Sequence, residues 1–323
     1  MILLTGATGN TGSAIARELS ARGVPFVAMA RSSARRRELT ERGLEVVAGD
    51  FDDPKSLASA LEGIERAYLV STPDETLMRR EGAFIDAAKK AGVRHIVKCS
   101  AYLADESSES PNLRSHGVVE RALRDSGMAW TILRPHGFMQ TFTLFSWDLV
   151  REAGVISAPH GEGKMPLVDV RDVAALAVKA LTEPGHEGKL YEITGPQALG
   201  MWDMAELLER ALHRPVSFVE GDAGSMEVVM KILGVPETPR KHVEVIAKLV
   251  RERRVERVHD TLREQGITPT TYEQFLEDWI AGRAGSGNSF KPPNTAVVRA
   301  LTFAMPKLMR LRIKLLGRPR RPN

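Results

Sequence analysis

The stretch ILLTGATGNTGSAIARELSARG, residues 2–23, sets an apolar run before three glycines, Gly6, Gly9 and Gly12, and a helical pattern after them. Each glycine answers a different need. Gly6 allows a tight turn, and Gly9 lets the backbone approach a pyrophosphate whose charge rests at the next helix N-terminus. Gly12 permits close helix–strand packing. The strand is expected to end at Leu4 and the helix to begin near Asn10, so Gly6, Thr8, Gly9, Asn10, Thr11 and Gly12 become candidate dinucleotide contacts. Ile15 and Leu19 then recur at helical spacing, and Gly23 suits a left-handed cap.

Outward from this turn the pattern repeats. ILLTG, PFVAMAR, LEVVAGD, RAYLVS, HIVKCS and WTILRP read as strands with amphipathic helices between them. Asp53 caps one helix with Pro54 at its first position, and Gly63, Gly92 and Gly127 close successive helices. Six strands alternating with helices argue for an α/β Rossmann fold, a doubly wound parallel sheet covered on both faces. The expected division is a nucleotide-binding domain over 1–155 with 167–195 returning to it. A smaller, mainly substrate-binding domain follows over 156–284, and a basic amphipathic tail over 285–323. Beyond the first domain FMQTFTLFSWDLVREAG, VRDVAALAVKALTEPG, WDMAELLERALHRP and TYEQFLEDWIAGRAG read as helices, and VISAP, MPLVDV, KLYEITG and VSFVEGD as strands.

Charge is divided along the chain. Of 45 Lys and Arg residues nine follow Gly285, where no acid remains, leaving 36 basic against 41 acidic residues before it, net −5. A basic body for nucleic acid is therefore not expected. The tail mixes Leu308, Met309, Leu311, Ile313, Leu315 and Leu316 with Lys307, Arg310, Arg312 and Lys314. Peripheral contact with an anionic membrane, packing on the body or on a second subunit, and disorder all stay open for it. The single cysteine, Cys99, forbids an intrachain disulfide and fits a reducing compartment. No basic region precedes the first apolar run and no run of 18 apolar residues exists, so a cytoplasmic protein is expected. The eight histidines lack metal-ligand spacing, so no metal is expected.

The second strand ends in ARSSARRR, where folds that bind NAD usually place an acid for the ribose 2′-hydroxyl. Arg31, Ser32 and Arg36 instead suit a 2′-phosphate, favouring NADP(H) over NAD(H). Asp50 at the end of the third strand can accept from the adenine amino group while Phe51 covers the ring. Ser71, Thr72 and Pro73, after the fourth strand, join the candidate cofactor contacts.

TGATGNTGS, VAGDFDDPKSLASAL, GVRHIVKCSA, SGMAWTILRPHGFMQ and LVDVRDVAALA resemble the NmrA-like, atypical short-chain dehydrogenase/reductase group over roughly residues 1–283. The resemblance implies a Rossmann domain with a smaller substrate domain. It also implies either a quinone-, azo-, isoflavone- or ergot-alkaloid-type reductase or an NmrA-type regulator that binds dinucleotide without catalysis. Extended members carry Tyr-x-x-x-Lys followed by Glu. If Glu120 matches that Glu, Asn112 stands in the Tyr place and His116 in the Lys place. His116 is then the candidate proton or hydrogen-bond donor, with Glu120, one turn on, expected to orient its ring. Ser100, which the resemblance places facing the nicotinamide, and Tyr102 are the other polar candidates. Pro135 and Phe138 are implied at the pocket floor. The leading expectation is an NADPH-dependent reductase of a small lipophilic or aromatic conjugated acceptor such as a quinone, enone or imine, with an oligomer open. A dinucleotide-sensing regulator is the alternative.

Overall fold

A computed structural model describes residues 1–232, 234–283 and 317; the basic tail expected over 285–323 lies, Gly317 apart, outside the described residues. The chain divides into two compact units, Met1–His136 with Val170–Ile193 and Asp260–Thr268, and Gly137–Asp169 with Thr194–His259 and the residues from Pro269 onward.

In chain order the elements run β1 (Ile2–Leu4), α1 (Asn10–Ala21), β2 (Phe26–Ala30), α2 (Ser33–Glu41), β3 (Val46–Ala48), α3 (Pro54–Ala60), β4 (Arg66–Leu69), α4 (Leu77–Ala91), β5 (His95–Cys99), α5 (Pro111–Asp125), β6 (Ala129–Pro135) and α6 (Met139–Ala153). There follow β7 (Val155–Ala158), β8 (Lys164–Met165), α7 (Val170–Thr182), β9 (Lys189–Ile193), β10 (Leu199–Gly200), α8 (Met201–Leu212), β11 (Ser217–Glu220), α9 (Ala223–Ile232), α10 (Glu237–Arg251), α11 (Thr261–Glu264) and α12 (Tyr272–Ile280).

The first unit is built on a seven-stranded sheet in the order β3-β2-β1-β4-β5-β6-β9, with every pairing parallel. Side chains alternate across it. Leu3, Val27, Met29, Ala67, Leu69, Ile96 and Ile132 meet Leu57, Phe84, Ile85, Ala88, Val119 and Leu123 from α3, α4 and α5 in one apolar core. The opposite face is covered by α1 and α7, which pack on each other. Covering both faces is what lets strands such as HIVKC be buried along their length. The strand order reverses beside β1, and the carboxyl ends of the strands at such a reversal are where these sheets take their ligands.

The second unit has two small sheets, β7 parallel to β11 and β8 antiparallel to β10, among α6, α8, α9, α10 and α12. Its partners correct the expected boundary at residue 155. Residues 137–155 fall in this unit because β7 pairs with β11 over Val155–Ala158 and Ser217–Glu220, while Asp260–Thr268 returns to the first. The expected strand MPLVDV shrinks to Lys164–Met165 and an isolated bridge from Val168 to Phe138, since Pro166 brings no N–H to a ladder. On α6, Met139 is buried, Thr143 Oγ1 lies 3.1 Å from the Tyr272 hydroxyl, and Trp147 meets Trp279 edge-on. The side chain of Phe145 lies outside the described residues. Among the described residues no helix is long and apolar enough to cross a membrane, and no group of three His, Cys, Asp or Glu is placed to hold a metal ion.

Candidate active site

The glycine turn forms as its sequence dictates. Thr5 pins the end of β1 to β4, its hydroxyl donating toward the carbonyls of Tyr68 and Val70 at 3.0 Å. The chain then reverses through Gly6 at φ 64°, and a Cβ there would lie 2.5 Å from Val70 Cγ1. At Gly12 a Cβ would sit 2.2 Å from the Gly6 carbonyl oxygen and 2.5 Å from its carbon, so helix and turn touch backbone to backbone. Gly9 is the N-cap of α1 and offers no side chain to the first N–H groups. Those donors, with the positive end of the helix, suit an anion. Thr8, Asn10 and Thr11 lie within this turn, Thr11 buried against the sheet. The cradle that a Cβ would fill and the uncapped helix start fit a dinucleotide pyrophosphate.

At the neighbouring strand ends, Arg31 is exposed and its Nε lies 3.9 Å from Asp50 Oδ2, so β2 and β3 bring these two candidates together. Arg36 donates from Nη1 to the Arg31 carbonyl at 2.7 Å. Ser32 caps α2, accepting from the Arg35 N–H. Asp50 also accepts from the Asp52 N–H, and Phe51 tilts against Phe84 at 5.8 Å between ring centroids. After β4, the Ser71 N–H and hydroxyl both donate to Glu81 Oε1 at 3.0 Å, which ties the Ser71–Thr72–Pro73 turn to α4.

The polar candidates near β5 lie on the segment after it and on α5. Ser110 caps α5 and Pro111 occupies its first turn. From there Asn112 and His116 both face inward, at 9% and 7% exposure. Gly117 lets the backbone of Asp105 and Glu106 pass where a Cβ would be 2.6 Å away, drawing the segment after β5 onto α5. In that segment the Tyr102 N–H donates to the Pro135 carbonyl at 2.9 Å, and the phenol ring lies 5.1 Å from the His136 ring. Leu103, next in line, turns left-handed at φ 60°, a conformation costly for a residue with a side chain. The Asn112 Oδ1 atom is buried without a hydrogen-bond partner. Phe138, from the second unit, starts α6 and bridges to Val168.

The expected pairing of Glu120 with His116 is not what forms. Glu120 is fully buried and committed elsewhere. Its Oε1 accepts from the Ser100 hydroxyl at 2.5 Å and from Arg134 Nε at 2.8 Å; its Oε2 accepts from Arg134 Nη2 at 2.7 Å and Arg124 Nη2 at 2.9 Å. Two guanidinium groups outcompete an imidazole for a carboxylate. Ser100 is thereby turned to Glu120. His116 instead meets Lys98, whose Nζ lies 3.2 Å from Nδ1. Lys98 and Glu81 form an ion pair at 2.6 Å with both side chains fully buried. The sequence reading missed this pair. Its signals were a lysine inside a strand covered on both faces, and a glutamate on the apolar face of α4 with Leu77, Phe84 and Ala88. Cys99 is buried, and burial pushes its thiol up, away from the reactive thiolate.

Comparison with known proteins identifies the family. The NAD(P)H azoreductase of Xenophilus azovorans is 40% identical over 240 residues, 74% of this chain and 83% of that protein. The (4-alkanoyl-5-oxo-2,5-dihydrofuran-3-yl)methyl phosphate reductase of Streptomyces griseus is 42% identical over 225 residues, 68% of this chain and 77% of that one. Among solved structures, the NADPH-dependent quinone oxidoreductase of Escherichia coli in complex with NADPH superposes with a TM-score of 0.78 at 27% identity, covering 87% of this chain and 100% of that one. Residues 1–276 match the profile of the NmrA-like family. With a glycine cradle at the sheet's reversal point and relatives at this identity and coverage, the chain belongs to the NmrA-like family.

Proposed function

We propose that the chain is an NADPH-dependent reductase that delivers hydride to a small lipophilic, conjugated acceptor of the quinone, enone, imine or azo class. The observation that carries this is the cradle at Gly6–Gly12, where helix and turn touch with no room for a side chain and the N-cap of α1 is a glycine that makes no side-chain cap. The activities of the azoreductase and quinone oxidoreductase relatives support the reductase class. Bound NADPH supplies the hydride. The chain's own residues do the rest. Donors at the start of α1 hold the pyrophosphate, and exposed Arg31, braced by Arg36 at its carbonyl, meets the 2′-phosphate. Asp50 lies at the adenine side. The turn after β4, held by Glu81, carries Ser71, Thr72 and Pro73 along the cofactor. Asn112 Oδ1, buried and unmatched, accepts a donor from the bound ligands.

His116 provides a hydrogen bond to the acceptor atom that gains charge, and Tyr102, whose ring lies against His136, is the second polar candidate. A conjugated acceptor spreads that charge, so a strong acid at the Tyr and Lys places of ordinary short-chain enzymes is not required. NADPH oxidation measured against a panel of quinones, enones, imines and azo compounds tests the reading. Turnover is expected, with kcat/KM falling about a hundredfold in His116→Ala, the scale of one positioned donor. Arg31→Asp is expected to weaken NADPH by about tenfold or more and to spare NADH, from the loss of a charge-assisted contact. Tight NADPH binding without turnover of any acceptor would replace the reductase by a dinucleotide-sensing regulator.

A further inference from the structure

Lys98 is an anomaly in the core. Along β5, Ile96 and Lys98 face the same side of the sheet, and Ile96 joins the apolar cluster under α4 and α5. A lysine in that row is fully buried almost only when paired. Its ammonium lies against three groups: Glu81 Oε2 at 2.6 Å from α4, the Cys99 carbonyl at 2.7 Å, and His116 Nδ1 at 3.2 Å from α5. The contact with Glu81 is a close ion pair approached off the hydrogen-bonding direction, which keeps the ammonium charge balanced.

An ammonium has three N–H donors and no lone pair. A group within hydrogen-bond distance of it therefore accepts. For His116 this means that Nδ1 presents its lone pair, so the single ring proton of the neutral imidazole rests on Nε2. The imidazolium would turn an N–H at Nδ1 toward the ammonium and is disfavoured by both geometry and charge. Because Glu81 Oε1 also holds the Ser71 N–H and hydroxyl, one polar line runs Ser71–Glu81–Lys98–His116, from the turn after β4 to the middle of α5.

We infer that the buried Lys98–Glu81 pair locks His116 as the neutral Nε2–H tautomer, making Lys98 and Glu81 positioning residues of the reductase. The inference rests on the proposed role of His116 only for its functional consequence. His116 polarises the acceptor as a neutral donor, and the proton that completes reduction comes from another group or from solvent. A neutral imidazole keeps its donor across the pH range in which an ordinary histidine titrates, so the hydrogen bond does not switch with the medium.

The test uses the full chain labelled with [15N]histidine, the His116 signals being assigned by their loss in His116→Gln. At neutral and mildly acidic pH, Nδ1 is expected in the unprotonated range and Nε2 in the protonated range. An Nδ1–H tautomer or an imidazolium at pH 7 overturns the inference with no variant needed. In Lys98→Met/Glu81→Leu, which removes both charges together, the ring is expected to become a tautomer mixture. In that variant kcat should fall about tenfold; a rise in the KM for NADPH there reads the loosened Ser71 turn and not the ring. Glu81→Gln, which keeps the shape and an acceptor for Ser71, is the second variant and is expected to shift the same signals. An unchanged ring in both folded variants also refutes the lock. The spectrum needs no acceptor, so an inactive enzyme leaves the tautomer result standing, and a wrong tautomer leaves the reductase reading standing.

Discussion

Replacing Glu120 by Gln keeps the shape of the side chain and removes its charge. The carboxylate is fully buried and accepts four hydrogen bonds, from Ser100, Arg124 and twice from Arg134. An amide nitrogen at the Oε2 place meets two guanidinium donors and loses both bonds; at the Oε1 place it loses the Arg134 Nε bond, while the Ser100 hydroxyl can turn to accept. Burial opposes the charge of Arg134, but the Glu120 hydrogen bonds and charge outweigh it and hold that guanidinium above its usual range. Breaking a buried pair costs about 3–5 kcal/mol. Arg134 is 17% exposed and keeps the Ala104 carbonyl at 2.8 Å and Glu192 at 3.8 Å, which sets the lower end. Arg124, at 38% exposure, adds at most about 1 kcal/mol. The expected loss is about 3 kcal/mol, read by urea unfolding as a midpoint lowered by about 1 M at a slope of about 3 kcal/mol/M. Glu120→Gln/Arg134→Met should recover part of it, with a coupling of about 2 kcal/mol. A loss under about 1 kcal/mol, or strict additivity in the double variant, would refute the reasoning. The His116 ring should keep its tautomer in Glu120→Gln, because Lys98 and not Glu120 holds it.

Three further outcomes can be measured. In Gly12→Ala the new methyl meets the Gly6 backbone at 2.2 Å, and repositioning of α1 should weaken NADPH by roughly ten- to a hundredfold in a fluorescence titration. Burial pushes His95 down to about 4, while its Nε2 meets Thr131 Oγ1 at 2.9 Å and its Nδ1 has no partner. The unfolded chain then takes up a proton that the folded one refuses, so stability present above about pH 6.5 is lost as pH falls toward 4, by about 1.4 kcal/mol per pH unit. His95→Gln should flatten that slope in urea titrations at pH 7, 6 and 5; an unchanged slope removes His95 as its source. Vesicle sedimentation separates the readings left open for the basic, acid-free sequence after Gly285: membrane contact carries the full chain down with anionic vesicles while a chain ending at Gly285 stays in the supernatant. Equal binding by both would exclude the tail.

The sheet was legible because its signals are local. Runs such as FVAMA and WTILRP, and glycines closing helices at Gly92 and Gly127 with positive φ, are dictated by nearest neighbours. The candidate site was legible as a set of residues but not as a set of partnerships. Spacing of four on α5 put Glu120 beside His116, whereas the competition was decided by Arg134, fourteen residues on, and by Lys98, eighteen residues back. Such choices depend on which side of the sheet a strand residue faces, and periodicity gives that only once the helices are laid over it. The Lys98–Glu81 pair could have been found by asking where a charge on each of two apolar faces must go. The boundary near residue 155 was missed for a similar reason. β7 has a partner, β11, 62 residues later.

The first unit is assembled from three separated pieces of chain, and this bears on how it is made. β6 waits for β9 to cover its outer edge, and Arg66 donates across to the Leu181 carbonyl at the end of α7. Neither partner has left the ribosome when residue 136 emerges. Until then the nascent sheet has an open edge at β6, and the surface of α1 that α7 will cover is bare. A gene fragment ending at His136 would stop at that stage and should aggregate. A circular permutant that joins the natural ends and opens between Ile193 and Thr194 would instead translate residues 194–259 first and the seven strands last, so the β6 edge would stay open until β9, then the C-terminal strand, is released.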